Sequence, residues 1–274
     1  MNESAKLVQT LNEAIRADLN DFGTPSSWRF SDLGKCLRYQ VQKRLGIGGA
    51  PFSDDTLSIF RLGNIIEDDI LGVLGKRIVV LTRDINGKQV KVRVPEYDAA
   101  GSLDALAIID GELVVLEVKS TRDRALSFGD LPYTTHARQA AAYAIFLGLV
   151  HAYVLYIGRD GSKRAFKLVA SDYEQEIKKE WAELGAHWNK ITDAMMTSLA
   201  GPFEGALPPK LPKVQATKTT KKGGVTTKTP FVYEIDGPWG KKGDPKYEYA
   251  NECTRCPYSE NCWGEASESG DTAP

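Results

Sequence analysis

The run Leu113-Val-Val-Leu-Glu-Val-Lys-Ser120 places Glu117 and Lys119 in the middle of a stretch otherwise suited to burial. Moving a lone charge into a core is costly, so such groups are paired, metal-bound or neutralised. Asp110-Gly111 stands between this run and Gly101-Ser-Leu-Asp-Ala-Leu-Ala-Ile-Ile109, and Asp-Gly between two β-rich runs is a hairpin signal. With these two residues as the turn, Ile109 pairs with Glu112. Counting back, Asp104 pairs with Glu117, their Cβ atoms about 4.5–5.5 Å apart. Lys119, two residues past Glu117, points to the same face. Carboxylates facing each other destabilise a sheet unless a cation lies between them. A divalent ion supplies that cation, and oxygen ligands of this kind suit Mg2+ or Mn2+. Lys119 can then orient or activate a water beside the ion, or stabilise a phosphate. The competing reading is a structural ion triad, which adds little stability over apolar packing.

Asp104 followed by Glu117-Val118-Lys119 resembles the Asp…Glu-x-Lys signature of the PD-(D/E)XK nuclease superfamily. Gln139-Ala-Ala-Ala-Tyr143 resembles the Gln-x-x-x-Tyr motif of its RecB-like branch, and residues four apart share a helix face. Gly63-Asn-Ile-Ile-Glu67 aligns with the Gly-x-x-x-His motif of the same branch, with Glu67 where many relatives have His. A carboxylate suits a hard cation at least as well as imidazole does, and the sequence leaves Glu67 and its neighbour Asp68 both open as the ligand. The resemblance implies an α/β restriction-endonuclease-like core, a central mixed sheet flanked by helices. It implies hydrolysis of DNA phosphodiesters with Mg2+ or Mn2+ held by Glu67, Asp104, Glu117 and the backbone carbonyl of Val118. Lys119 would orient the nucleophile or offset developing charge. Gln139 would hydrogen-bond near the metal or substrate, and Tyr143 would support it or contact DNA.

The four cysteines are Cys36, far upstream, and Cys253, Cys256 and Cys262 near the end. In a reducing compartment such spacing suggests a metal site rather than disulfides. One cysteine before the nuclease motifs and three after, with Cys256 followed by Pro257, resembles the iron–sulfur form of RecB-like nucleases, which includes AddB-type domains and CRISPR-associated exonucleases. Ser31…Cys36-Leu37-Arg38 resembles the stretch around the first cysteine there. Four thiolates would bind a 4Fe–4S cluster and clasp the tail to the N-terminal segment across a loop of large closure entropy. A zinc ion held by the same four thiolates is equally compatible with the spacing. His136, His151 and His187 have no partner at metal-motif spacing and read as ordinary helix or strand residues.

These groups need elements to hold them. Apolar spacing predicts an amphipathic N-terminal helix and a helix over 31–46 opening on Ser31 as N-cap. It predicts another over about 56–74, with Ile59, Leu62, Ile66, Ile70 and Leu74 on one face. Strands are expected at 78–82, 89–94, 101–109, 112–120, 152–157 and 163–169, with turns at Asn86-Gly87, Asp110-Gly111 and Asp160-Gly161. Alanine-rich 136–147 is helical. A long helix over 171–199 carries Ile177, Trp181, Leu184, Trp188, Ile191 and Met195 on its apolar face. The segment 201–246 holds nine lysines and reads as a basic loop that tracks a phosphate backbone, or as a plain linker.

The chain has 274 residues, 42% hydrophobic and 26% charged, with net charge −1. It is long enough for one large domain or two modest ones. With so little net charge, nucleic-acid binding must rest on local patches. The expected organisation is an N-terminal segment 1–55 with the first cysteine, a nuclease core 56–200, and a tail 201–274 that packs with 1–55. The N-terminus lacks a signal-peptide pattern and no run spans a membrane, so a cytoplasmic protein of a prokaryote or phage-infected cell is expected. Its preferred function is an exonuclease on single strands or DNA ends, in recombination and repair. No Walker-type motif appears, so it would work beside a helicase, or with recombination, CRISPR-adaptation or phage replication partners. A non-cleaving DNA-binding protein on a nuclease fold and a structure-specific or restriction-type endonuclease are the alternatives.

Overall fold

The computed structural model describes residues 3–19, 24–121, 126, 131–197, 206–209, 218–219, 225–226, 256–258 and 262. The chain falls into two units, one of residues 1–34 and 52–185, the other of 35–51 and 186–274.

The first unit opens with helix α1 (Glu3–Asp18) and the short strand β1 (Trp28–Arg29). Helix α2 (Leu37–Arg44) belongs to the second unit. Helix α3 (Asp54–Leu74) is capped by Ser53, whose Oγ accepts the Thr56 N–H at 3.2 Å, and Arg16 and Asn12 of α1 hold Asp54 at 2.8 and 3.1 Å. Strands β2 (Val80–Leu81), β3 (Lys91–Val94), β4 (Ala99–Ser102), β5 (Ala105–Ile109) and β6 (Glu112–Thr121) follow. Helix α4 (Thr134–Phe146) crosses over to β7 (His151–Gly158), β8 (Lys163–Val169) turns back at Asp160-Gly161, and the long helix α5 (Ser171–Thr197) ends this part of the chain.

The main sheet has the order β2-β5-β6-β7-β8. Its β6–β7 pair is parallel and its other pairs are antiparallel. A parallel pair needs a crossover, and α4 supplies it. Because side chains alternate along a strand, β6 has two burial faces. Val114, Leu116 and Val118 join Ala105, Ala107 and Ile157 against Ile66, Ile70, Leu71 and Leu74 of α3. The opposite face carries Glu117 and Lys119 and lies under α4. There Ala137, Ala140, Ala141 and Ala144, all fully buried, let the helix backbone approach β6 and β7 closely. A central mixed sheet flanked by helices on both faces is the architecture expected from the sequence.

Four elements differ from the sequence expectation. Residues 101–109 do not form one strand. Strand β4 belongs to a three-stranded sheet of order β1-β4-β3 and β5 to the main sheet, and the chain switches sheets at Leu103-Asp104. No helix opens on Ser31. That residue lies in a 3-10 turn (Phe30–Asp32), Gly34 turns the chain at φ +81°, and α2 begins only after Cys36, its N-cap. On the predicted apolar faces, Ile59, Leu62 and Met195 are exposed. Residues 198–199 of the predicted last helix lie outside the described residues.

In the second unit, Arg44 of α2 lies over the Trp188 ring, 4.2 Å from its centroid, and Arg38 donates to the Pro208 carbonyl at 2.9 Å. Strands β9 (Lys218–Thr219) and β10 (Val225–Thr226) pair antiparallel within the lysine-rich segment, the rest of which lies mostly outside the described residues. Among the described residues no helix is long and apolar enough to cross a membrane.

Candidate active site

The hairpin register is the one counted from the turn: Ile109 lies opposite Glu112 and Ala105 opposite Leu116. Asp110 and Gly111 adopt φ +52° and +80°, the left-handed pair that a two-residue hairpin requires. Asp104 sits one residue beyond the ladder, buried, and its Oδ2 accepts the Val118 N–H at 2.8 Å. Glu117 is completely buried. Lys119 Nζ lies between them, paired by charge with Glu117 Oε1 and 4.0 Å from Asp104 Oδ2. Lys119 is thus the partner of Glu117 Oε1, and among the described residues Oε2 has no hydrogen-bond partner.

The electrostatics follow from burial among like charges. Burial, then the Asp104 charge, pushes the Glu117 carboxyl up to about 8, although Lys119 opposes the shift. Glu67, half-buried on α3, is pushed up to about 7 by burial and by Asp104. Burial also raises Asp104, partly offset by Lys119 and the Val118 N–H. Burial works to lower Lys119, but the carboxylates of Glu117 and Asp104 outweigh it and hold the ammonium charged well above the usual lysine range. Of the two acids left open by the sequence, Glu67 is the one that feels Asp104, Glu117 and Lys119, whereas Asp68 is exposed.

Gln139 and Tyr143 share the sheet-facing side of α4, both buried. Gln139 lies one helical turn before Tyr143, whose hydroxyl donates to the Ser102 carbonyl at 2.7 Å. The Tyr143 ring stacks flat on Phe30, with centroids 4.4 Å apart. Sequence reasoning missed Phe30, Gly101 and Ser102, which surround this tyrosine. It also missed Tyr156, which pairs with Lys119 across β6–β7. The Tyr156 hydroxyl accepts the Tyr133 N–H at 3.0 Å and bonds His136 Nδ1 at 2.9 Å. Glycine at 101 was a readable signal. The Lys119–Tyr156 pairing was not, because a parallel register has no tight turn to count from.

Among the described residues, no three carboxylate, imidazole or thiol groups already converge on one point as an ion's ligands. The donor set nonetheless fits a hard cation. Asp104, Glu117 and Glu67 offer only oxygens, and the buried Glu117 keeps one oxygen, Oε2, that Lys119 does not meet, which is costly unless a further positive group meets it.

The thiols lie elsewhere, in the second unit. Cys36, Cys256 and Cys262 are half-buried there, and Cys253 lies outside the described residues. Cys262 Sγ is 3.7 Å from Gln42 Oε1 of α2. The Ala50 N–H donates to the Pro257 carbonyl at 2.8 Å, and the Tyr39 and Tyr258 rings meet edge to face with centroids 5.5 Å apart. Cys262 and Tyr258 thus pack against the helix that Cys36 caps. Soft thiolates in this number suit iron–sulfur or zinc.

No protein-family model matches the chain, and no curated protein matches it in sequence. Among solved structures, SSO0001 is 17% identical with a TM-score of 0.44, covering 65% of this chain and 86% of that one. The alkaline exonuclease LHK-Exo from Laribacter hongkongensis is 15% identical with a TM-score of 0.41, covering 68% of this chain and all of that one. The same exonuclease in complex with dAMP gives 14% identity and a TM-score of 0.43, covering 63% and 95%.

Proposed function

We propose that this chain is a metal-dependent deoxyribonuclease, an exonuclease acting on single strands or free ends. The observation that carries the reading is Glu117, a fully buried carboxylate whose Oε1 meets the Lys119 ammonium and whose Oε2 has no hydrogen-bond partner among the described residues, placed beside Asp104 and Lys119 by a hairpin register. A structural ion triad leaves that second oxygen unmet, whereas a hard cation would take it. Asp104, Glu117 and Glu67 would hold Mg2+ or Mn2+, with the Val118 carbonyl as a further oxygen. When bound, the ion supplies charge neutralisation at the phosphate and an acidified water. Lys119, kept charged by its two carboxylate neighbours, orients the attacking water and offsets charge developing on the phosphate. Tyr143, one helical turn after Gln139, holds the strand end that carries Asp104.

In the second unit the cysteines would hold a 4Fe–4S cluster, with zinc as the alternative. Lysines of the 201–246 segment would follow the phosphate backbone of DNA.

Digestion of end-labelled single-stranded DNA in Mn2+ tests the catalytic reading. Wild type is expected to shorten the labelled strand and leave circular single strands intact, while Glu117→Gln and Lys119→Ala lose about a hundredfold or more. Equal degradation by wild type and Lys119→Ala would mean a contaminating activity and end the assignment. A wild type that retains labelled DNA without shortening it is the non-cleaving binder, and cleavage of circles identifies an endonuclease.

A further inference from the structure

Asp104 stands where the chain changes sheets. Strand β4 ends at Ser102 and β5 begins at Ala105, so neither ladder of hydrogen bonds fixes the two residues between them. The backbone is pinned there by other means. The Leu103 N–H donates to the Val90 carbonyl at 3.1 Å, and Gln89 Nε2 donates to the Leu103 carbonyl at 3.3 Å. The Ser102 carbonyl takes the Tyr143 hydroxyl at 2.7 Å.

Tyr143 is held on a second side as well: Phe30 stacks on its ring within 4° of parallel. Gly101 leaves room for both. A Cβ at that position would lie 2.4 Å from the Tyr143 oxygen and 2.9 Å from Phe30 Cδ2, distances that real Cβ atoms do not tolerate. The ring is almost wholly buried, so its contacts are with protein.

We propose that Tyr143, seated on Phe30 and admitted by Gly101, is a positioning residue that sets Asp104 against Glu117 through the Ser102 carbonyl. This rests on the nuclease reading and refines it, since Tyr143 then acts on a ligand-bearing strand end and not on DNA. Tilting the Ser102 peptide swings the Asp104 side chain two residues on, and small misplacements at a reacting centre are costly.

Tyr143→Phe removes one oxygen and keeps the stacked ring. It is expected to lower kcat about tenfold, roughly one hydrogen bond's effect, with KM for DNA within about twofold. Mn2+ binding, followed by paramagnetic resonance without DNA, should weaken by a similar factor. Gly101→Ala should reproduce these effects, and should cost less when added to Tyr143→Phe than to wild type, because the oxygen it meets is gone. If Gly101→Ala does not fold, Tyr143→Phe carries the test alone. A rise in KM with kcat and Mn2+ binding unchanged would place the tyrosine on DNA and overturn the proposal. A loss of melting temperature with unchanged kinetics and Mn2+ binding would reduce it to packing and overturn it equally. A wild type that neither cuts nor binds Mn2+ defeats the nuclease reading and the proposal together. A wild type that does both, matched by Tyr143→Phe, defeats the proposal alone.

Discussion

At the scale of single residues, the site is a collection of groups in the wrong solvent, and its titration should show it. Glu67 and Glu117 are raised from 4.5 to about 7 and about 8, so the folded protein binds protons that the unfolded chain has released. Their stabilising contribution is complete below about 4.5 and is lost as pH rises through about 7 and then about 8. Urea midpoints of the metal-free protein should therefore fall between about pH 5 and 8. Mn2+ binds the ionised carboxylates, so the stabilisation it gives should grow over the same interval. Glu117→Gln should flatten the upper part of the metal-free curve. A wild-type midpoint that stays level across this range would mean the two acids are not buried together as described. The acids and Lys119 were legible in the sequence because charge inside an apolar run is conspicuous. Phe30 and Tyr156 were not, since an aromatic in an apolar setting reads as packing until its hydroxyl or its stacking partner is known.

At the scale of elements, the hairpin is the best-read part of the chain. A two-residue turn leaves no freedom in the count, so pairing follows by arithmetic from Asp110-Gly111. Gly111 adopts φ +80° with nothing within 4 Å of where a Cβ would stand, so substitution there meets only backbone strain. Gly111→Ala should lower unfolding free energy by about 1 kcal/mol with an unchanged denaturant slope. DNA cleavage well below the melting temperature should stay at wild-type level, because β6 is also held along its length by β7. A lost activity with little lost stability would show instead that the turn moves Asp104. The elements that were misread share a cause. The apparent strand 101–109 is two strands in two sheets, and the apparent helix from Ser31 is interrupted at Gly34. Local periodicity persists through a change of partner, because the pattern records burial and not which surface does the burying.

At the scale of the molecule, the proposed catalytic groups lie in one unit and the described cysteines in the other. The cysteine site should therefore be separable by chemistry. Protein purified without oxygen is expected to be brown, with about four irons per chain for a 4Fe–4S cluster. Cys262→Ser should lose colour and iron and unfold at lower temperature, since a group bound by the folded state stabilises it. Its Mn2+ resonance should persist, as the two ligand sets share no residue. Colourless protein with stoichiometric zinc would replace the cluster by a zinc clasp.

Read alone, the chain determined the hairpin register that brings Asp104 near Glu117 and Lys119, and that a helix with Gln139 and Tyr143 follows. Both are set by counts along neighbouring residues, and the physics of turns and pleats acts over that range. The sheet switch at Asp104, the Ser102 carbonyl as the target of Tyr143, and the alignment of Tyr156 with Lys119 were decided by tertiary structure. Each depends on contacts between residues tens of positions apart, where many packings satisfy the same local pattern and only the filled core selects one.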